Sequence, residues 1–399
     1  MNEQILIQTV SLPDGAKTDI RIFQGVITEI GNLKEEKSEK VINGKGLLAL
    51  PGLVDLHTHL REPGREDAET VRTGSAAAAL GGFTAIHAMA NTNPVADTAG
   101  VVEQVVHLGA SAGYCDVFAV GAVTRGLLGK ELAELGAMAH STAQVRIFSD
   151  DGNCVFDPLV MRRALEYVKQ FDGVIAQHAQ DPRLTENAQM NEGLVSAKLG
   201  LTGWPAVAEE SIIARDVLLA EHVGARLHIC HVSTEGSVEI IRWAKARGIQ
   251  VTAEVTPHHL LLTDEKAEGY DPLFKVNPPL RTWADVQALR SALADGTIDI
   301  VATDHAPHPI ESKECEWNEA ANGMIGLEAA LSVIQESVVD SKLMSWETVA
   351  ERMSIVPAQI ARLKLHGKKF EIGAPANLLL YDPAVRRKVS DISSASKSR

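Results

Sequence analysis

The strongest constraint on what this chain can fold into is a repeat of eight short apolar runs, each followed by a helical pattern. The runs are "GLVDLHTH", "FTAIHAMAN", "DVFAVGAVT", "QVRIFSDD", "GVIAQHA", "RLHICHVS", "IQVTAEVTPHH" and "IDIVATDHAPH". Between them, stretches such as "AEESIIARDVLLAEHVG" and "TEGSVEIIRWAKARG" carry apolar residues at helical spacing and close on glycine, a common helix C-terminal signal. Eight strand and helix units predict an α/β fold, a (β/α)8 TIM-type barrel over residues 51–365, with its reactive face at the C-terminal ends of the strands.

The two ends of the chain share a different idiom. Residues 1–50 hold "QILIQTV", "TDIRIFQGVITEIG" and "EKVINGKGLLAL", punctuated by Pro-Asp-Gly and Asn-Gly, and read as short antiparallel strands. "KFEIGAPANLLLYDP" returns to that pattern, so residues 366–399 are expected to rejoin residues 1–50 in one small β domain.

Polar residues with chemistry fall where the barrel would open. His57 and His59 end the first run, Asn91 the second, Asp150 and Asp151 the fourth, His178 the fifth, His231 the sixth and Asp304 the eighth. Alternation puts residues 57 and 59 on one face of a strand, about 6.6 Å apart, within reach of one ion. A single core histidine is ordinarily just hydrogen-bonded. Four histidines and two aspartates on one rim instead predict a metal centre, and imidazole with carboxylate but no thiolate suits Zn²⁺, with Mn²⁺, Fe²⁺ or Co²⁺ accepted by the same donors. In "RIFSDD" alternation selects Asp151 as the inward aspartate, and in "LHICHVS" an inward His231 implies that His228 and Cys230 face the helical layer. Asp304 has a second use, since a carboxylate beside activated water can accept its proton and return it to a leaving nitrogen. His258 and His259 are adjacent, so at most one is expected to face the site.

Composition narrows the partners. With 38 Lys and Arg against 52 Asp and Glu, the net charge of −14 disfavours nucleic acid and anionic lipid. The four cysteines are scattered without paired spacing, and no apolar run reaches about 18 residues, so a reduced, cytoplasmic protein without a membrane span is expected. No P-loop or GxGxxG follows a strand, which removes support for nucleotide use.

The motifs "DLHTHLREPG" (55–64), "MANTNP" (89–94), "SDDG" (149–152), "QHA" (177–179), "CHVST" (230–234), "TAEVTPHHL" (252–260), "KVNPPLR" (275–281) and "ATDHAPH" (302–308) resemble the amidohydrolase superfamily. Within it the chain is similar to the bacterial type of dihydroorotase with a bridging aspartate. That resemblance implies interconversion of L-dihydroorotate and N-carbamoyl-L-aspartate in de novo pyrimidine (UMP) biosynthesis. It also implies one or two Zn²⁺ per chain, two being favoured: His57, His59 and Asp304 on one, His178 and His231 on the other, and Asp151 between them. Arg61, Asn91 and His308 would contact the substrate carboxylate, and Asn277 would make another substrate contact.

The chain departs from the pattern in several places. No lysine occurs in "QVRIFSDDGNCV", where many relatives bridge their metals with a carboxylated lysine; the shorter aspartate implies closer metals and a weaker second site. "MANTNP" lacks the proline of the usual "MPNT", and "AANG" lacks one before the turn that follows strand eight. The long loop "PIESKECEWNEAANGMIG" and the one after Asp151 are expected to order on ligand binding. The chain stops at "SASKSR", where relatives continue for about one further strand pair, so the small β domain is expected to be cut short. Competing readings are an allantoinase or hydantoinase, and an inactive scaffold for aspartate transcarbamoylase, although scaffolds typically lack the four histidines retained here. Homodimerisation and association of an active enzyme with that transcarbamoylase are both left open by composition.

Overall fold

Alternating isoleucines and valines start the chain as a sheet. The computed structural model describes residues 4–386 and 394–398. Residues 1–3, 387–393 and 399, which belong to the expected terminal β segments, lie outside the described residues. The first strands are β1 (Gln4–Ser11), β2 (Lys17–Phe23), β3 (Val26–Gly31), β4 (Lys40–Asn43) and β5 (Leu48–Pro51). β1, β2 and β3 pair antiparallel, and β4 runs parallel to β1. Their inward side chains, among them Ile7, Val10, Ile20, Ile22 and Ile27, form a separate apolar cluster.

The barrel strands follow. They are β6 (Leu53–Thr58), β7 (Phe83–Ala88), β8 (Asp116–Ala119), β9 (Ile147–Phe148) and β10 (Val174–Gln177), then, after a two-stranded excursion of β11 (Met190–Asn191) and β12 (Gly203–Trp204), β13 (Arg226–Ile229), β14 (Val251–Val255) and β15 (Ile300–Val301). Each of the eight apolar runs of the sequence contains one of these eight barrel strands. β6, β7 and β8 pair in parallel, as do β9, β10, β13, β14 and β15. Parallel bridges Gly121 to Phe148 and Thr58 to His305 join the two sets into a closed (β/α)8 ring.

Helices α1 (Val71–Leu80), α2 (Ala99–Ala112), α3 (Leu135–His140), α4 (Pro158–Val168), α5 (Leu194–Leu199), α6 (Val207–Val223), α7 (Glu235–Ala246) and α8 (Trp283–Asp295) lie between strands. Local chemistry sets their ends. Thr70 and Thr73 cap α1 reciprocally, Thr282 and Asp285 do so for α8, and α6 and α8 stop at Gly224 and Gly296 in left-handed conformation. Gly109 lets α2 sit directly against β8, because a Cβ there would overlap the Val117 side chain.

Alternation divides the strand side chains into two layers. Ile86, Val117, Phe148, Ile175, Leu227 and Val301 pack outward under the helices. Val54, Leu56, Ala85, Ile147, Val174, Ala176 and Ile300 fill the interior, against Ala358, Ile360 and Ala361. The final strand, β16 (Leu378–Tyr381), pairs antiparallel with β5, so both ends of the chain contribute to one six-stranded sheet. No helix among the described residues is long and apolar enough to cross a membrane.

Candidate metal centre

β6 delivers two imidazoles to the same point through an irregularity. Val54 and Leu56 both face the interior, so strict alternation would turn His57 outward. The register of β6 against β7 shifts between Asp55 and Thr58, and His57 and His59 instead converge on one carboxylate, that of Asp151. The buried Asp55 carboxylate stabilises this bend by accepting the His57 and Thr303 N–H groups at 3.0 and 3.2 Å.

Asp151 lies at the centre. Its Oδ2 is 3.4 Å from His57 Nε2 and 3.3 Å from His59 Nε2, while its Oδ1 is 3.1 Å from His178 Nδ1 and 3.0 Å from His231 Nε2. Asp304 Oδ1 approaches His59 Nε2 at 3.0 Å and His57 Nε2 at 3.5 Å. All six side chains are buried. Asp150 points elsewhere, accepting the Val123 and Thr124 N–H groups at 2.8 and 2.9 Å, which fastens the loop after β8.

The outer nitrogens of the rings reveal what the inner ones can do. His57 Nδ1 meets the Glu254 carboxylate at 2.6 Å, His59 Nδ1 meets Asn91 Oδ1 at 2.9 Å, and His178 Nε2 meets Gln180 Oε1 at 2.7 Å. Each partner is an acceptor, so each outer nitrogen carries a hydrogen and each inner nitrogen, in the neutral ring, has its lone pair free for a cation. Those lone pairs face carboxylate oxygens, His57 Nε2 has no hydrogen-bond partner, and His178 Nδ1 lies 2.9 Å from His231 Nε2. Ring nitrogens and carboxylate oxygens crowded this closely in a buried site call for positive charge between them, which a metal ion or protons on the rings supply. The spacings suit a metal ion, because two ligands about 2.0–2.1 Å from a tetrahedral ion stand about 3.3 Å apart. His57, His59 and Asp151 form one group able to hold a metal ion, and Asp151, His178 and His231 form another.

The electrostatics agree. Burial opposes the charged form of His57, but Asp151, Glu254 and Asp304 outweigh it and hold the imidazolium well above its ordinary pKa. Burial likewise opposes ionisation of Asp151, and His57, His178 and His231 overcome it, leaving the carboxyl well below its usual range. Asp304 is held low in the same way, against burial, by His57 and His59.

Sequence alternation failed at the sixth strand. His228 and Cys230, expected against the helical layer, face the barrel interior: His228 Nε2 bonds Glu254 Oε2 at 2.9 Å, and Cys230 packs with Val174 and Ile300. His231 lies past the end of β13 with φ of +31°, and this left-handed kink lets it reach the site on the same side. Cys230, His57 and Glu254 also lie close enough to share an ion. Burial, with Glu254 adding to it, pushes the Cys230 thiol up, so it is a neutral and poor ligand at neutral pH.

The remaining predicted residues surround this centre. Arg61 is buried and donates from Nε to the Pro307 carbonyl at 3.0 Å; burial and then Arg65 lower it to about 10, so it stays charged at neutral pH. His308 Nε2 meets the Asn322 carbonyl at 2.7 Å and lies 3.4 Å from Arg61. Asn277 donates to Gln180 Oε1 at 3.1 Å, and its own side-chain oxygen is buried without a partner. His259 ties the loop after β14 to itself through Thr256 and the Pro278 carbonyl, whereas His258 keeps Nε2 unpartnered and is pushed down to about 4, chiefly by burial. The loop after β15 is tethered: Lys313 donates to the Pro272, Lys275 and Ala321 carbonyls, and Lys275 to those of Trp317 and Asn318.

Sequence reasoning missed Glu254 and Gln180. Glu254 was visible as a carboxylate in the middle of an apolar strand, where a buried charge needs partners; Gln180 lies two residues beyond His178 and carried no signal of its own.

Comparison with known proteins decides which family uses this arrangement. Residues 46–237 match the family described as dihydro-orotase-like. A dihydroorotase from Leifsonia xyli subsp. xyli is 67% identical over 98% of this chain and 89% of its own length. The chain belongs to the dihydroorotase family. A dihydroorotase from Streptomyces coelicolor is 65% identical over 99% of this chain and 92% of its own length. Among solved structures, the L-hydantoinase (dihydropyrimidinase) from Arthrobacter aurescens superposes with a TM-score of 0.88 at 25% identity, covering 99% of this chain and 90% of that one. As a dihydroorotase-family member the chain is an enzyme, a hydrolase of cyclic amides acting on a small molecule.

Proposed function

We propose that this dihydroorotase-family enzyme interconverts L-dihydroorotate and N-carbamoyl-L-aspartate, for pyrimidine (UMP) synthesis, at a centre of two Zn²⁺ ions. The observation that carries the reading is the placement of Asp151, one oxygen toward His57 and His59 and the other toward His178 and His231. His57, His59 and Asp304 would hold one ion, His178 and His231 the other, and Asp151 both. When bound, such ions polarise the amide carbonyl and activate water at neutral pH. Asp304 is a group for the proton step: its carboxylate takes the proton from the attacking water and returns it to the ring nitrogen as the amide C–N bond breaks. Arg61 offers a planar fork matched to the substrate carboxylate. Asn91, Asn277 and His308 complete the substrate contacts, with the unpartnered Asn277 oxygen available to a ring N–H.

The same proposal divides the chain into a small β domain from 1–50 and 366–399 and a barrel over 51–365; the pairing of β16 with β5 supports the return of the chain to that domain, whereas residues 394–398 lie on barrel loops instead. Four free cysteines support a cytoplasmic location. Homodimerisation and association with aspartate transcarbamoylase are tested by sizing the protein alone and with that enzyme.

The test is ring opening of L-dihydroorotate by zinc-supplied protein, with hydantoin, dihydrouracil and allantoin in parallel and bound metal counted in the same samples. Selective turnover of dihydroorotate at two zinc per chain is expected. Preferred turnover of hydantoin or allantoin would overturn the substrate assignment, and metal binding without turnover would favour a partner-dependent enzyme, another cyclic amide or a scaffold.

A further inference from the structure

Residues 394–398 lie against the two loops that carry Arg61 and His308. Ser394 Oγ and the Ala395 N–H both donate to Glu328 Oε1 at 2.8 Å. Ser396 Oγ donates to Glu69 Oε2, the Lys397 N–H donates to Glu69 Oε1 at 3.3 Å, and the Lys397 ammonium reaches the Glu66 carbonyl. Ser398 Oγ accepts the His308 N–H at 3.0 Å and donates to the His308 carbonyl at 2.7 Å. Ser396 and Ser398 are only 8% and 7% exposed. The segment therefore ties the loop after β6 to the loop after β15.

His308 lies beyond β15, and Ser398 serves both of its main-chain groups. One hydroxyl that accepts from and donates to the same residue fixes both the position and the direction of the chain there. The preceding carbonyl, that of Pro307, is the one that holds Arg61 Nε, and the His308 ring faces the same guanidinium. Two side chains assigned to the substrate carboxylate are thus set by one stretch of backbone.

We propose that Ser398 is a positioning residue for substrate recognition: it fixes the Pro307–His308 main chain and through it the orientation of Arg61 and His308, with Ser396 anchoring the segment on Glu69. This rests on the reading of Arg61 and His308 as carboxylate contacts. Ser398 acts through the His308 main chain, so its loss is expected to alter binding rather than chemistry.

The test compares Ser398→Ala, Ser398→Thr, Ser396→Ala and Arg61→Met in the zinc-loaded full chain, measuring KM and kcat for dihydroorotate and metal content. Ser398→Ala is expected to raise KM about tenfold, with kcat within about twofold and metal content unchanged, the size expected for losing a paired hydrogen bond. Ser398→Thr, which keeps the hydroxyl, restores KM, and Ser396→Ala raises it about threefold. Should Ser398→Ala not fold, the Ser396→Ala result decides. An unchanged KM beside a raised KM in Arg61→Met would overturn the proposal, as would a fall in kcat and metal content at constant KM. An unchanged KM in Arg61→Met would instead overturn the carboxylate assignment itself.

Discussion

The two halves of the centre share Asp151 but are built differently. One half takes His57 and His59 from a single strand end and faces two carboxylates, Asp151 Oδ2 and Asp304 Oδ1. The other takes His178 and His231 from the ends of β10 and β13 and faces Asp151 Oδ1 alone. Their supports differ at one ring: Glu254, a full negative charge, holds His57, whereas neutral amides hold His59 (Asn91) and His178 (Gln180). A carboxylate acceptor strengthens the basicity of the imidazole it grips more than an amide does. The lesson is that a shared bridge does not make equal sites, because the asymmetry lies in the second anion and in the groups behind the rings.

The largest effect should come from removing what the halves share. Asp151→Ala is expected to lower kcat/KM by at least about a thousandfold and to strip both ions, as counted by metal analysis after gel filtration. Two metals retained in that variant would end the bridging assignment. Asp304→Asn should reduce kcat by about 100- to 10,000-fold, the range for a lost general acid and base, while the His178 and His231 side keeps its metal. Full activity would remove Asp304 from the proton step. Glu254→Gln sharpens the contrast, since an amide behind His57 should weaken metal at that half by about 10- to 100-fold and leave the other half unaffected. Equal weakening in a chelator competition would mean that the halves act as one unit. The smallest effect is one of order: graded mild chelation of the unaltered protein should empty the His178 and His231 half first, giving a plateau near one metal per chain. Loss of both ions together would break the comparison.

Much of this was legible in the sequence because barrel chemistry sits at strand ends. The apolar runs marked the strands, and the residue closing each run marked the rim, so His57, His59, Asp151, His178, His231 and Asp304 could be picked out from a single chain. Alternation within a strand also selected Asp151 over Asp150, and the structure sets Asp151 among the four histidines while Asp150 accepts from the backbone of residues 123 and 124. It failed where the backbone leaves the strand. The register shift before Thr58, φ of +31° at His231 and φ of +46° at Asp304 each reset which way the next side chain points. Glu254 was hidden for another reason: its partners His57 and His228 lie 197 and 26 residues away, and only barrel closure brings them together. The serines of residues 394–398 belong to no periodic pattern, so nothing local marked their contact with a loop 90 residues earlier.

The seam of the barrel has a bearing on how this protein is made. His59 donates its N–H to the His305 carbonyl at 2.8 Å, and the bridge of Thr58 to His305 closes the ring next to the ligands themselves. During synthesis the first histidines leave the ribosome long before Asp304, which follows His59 by 245 residues. With domains emerging from the N-terminus and long-range strand pairing slow to form, the six donors can come together only after the last barrel strand has been made. On the proposed ligand set, full metal loading waits for the last barrel strand, the latch that brings scattered donors to one point.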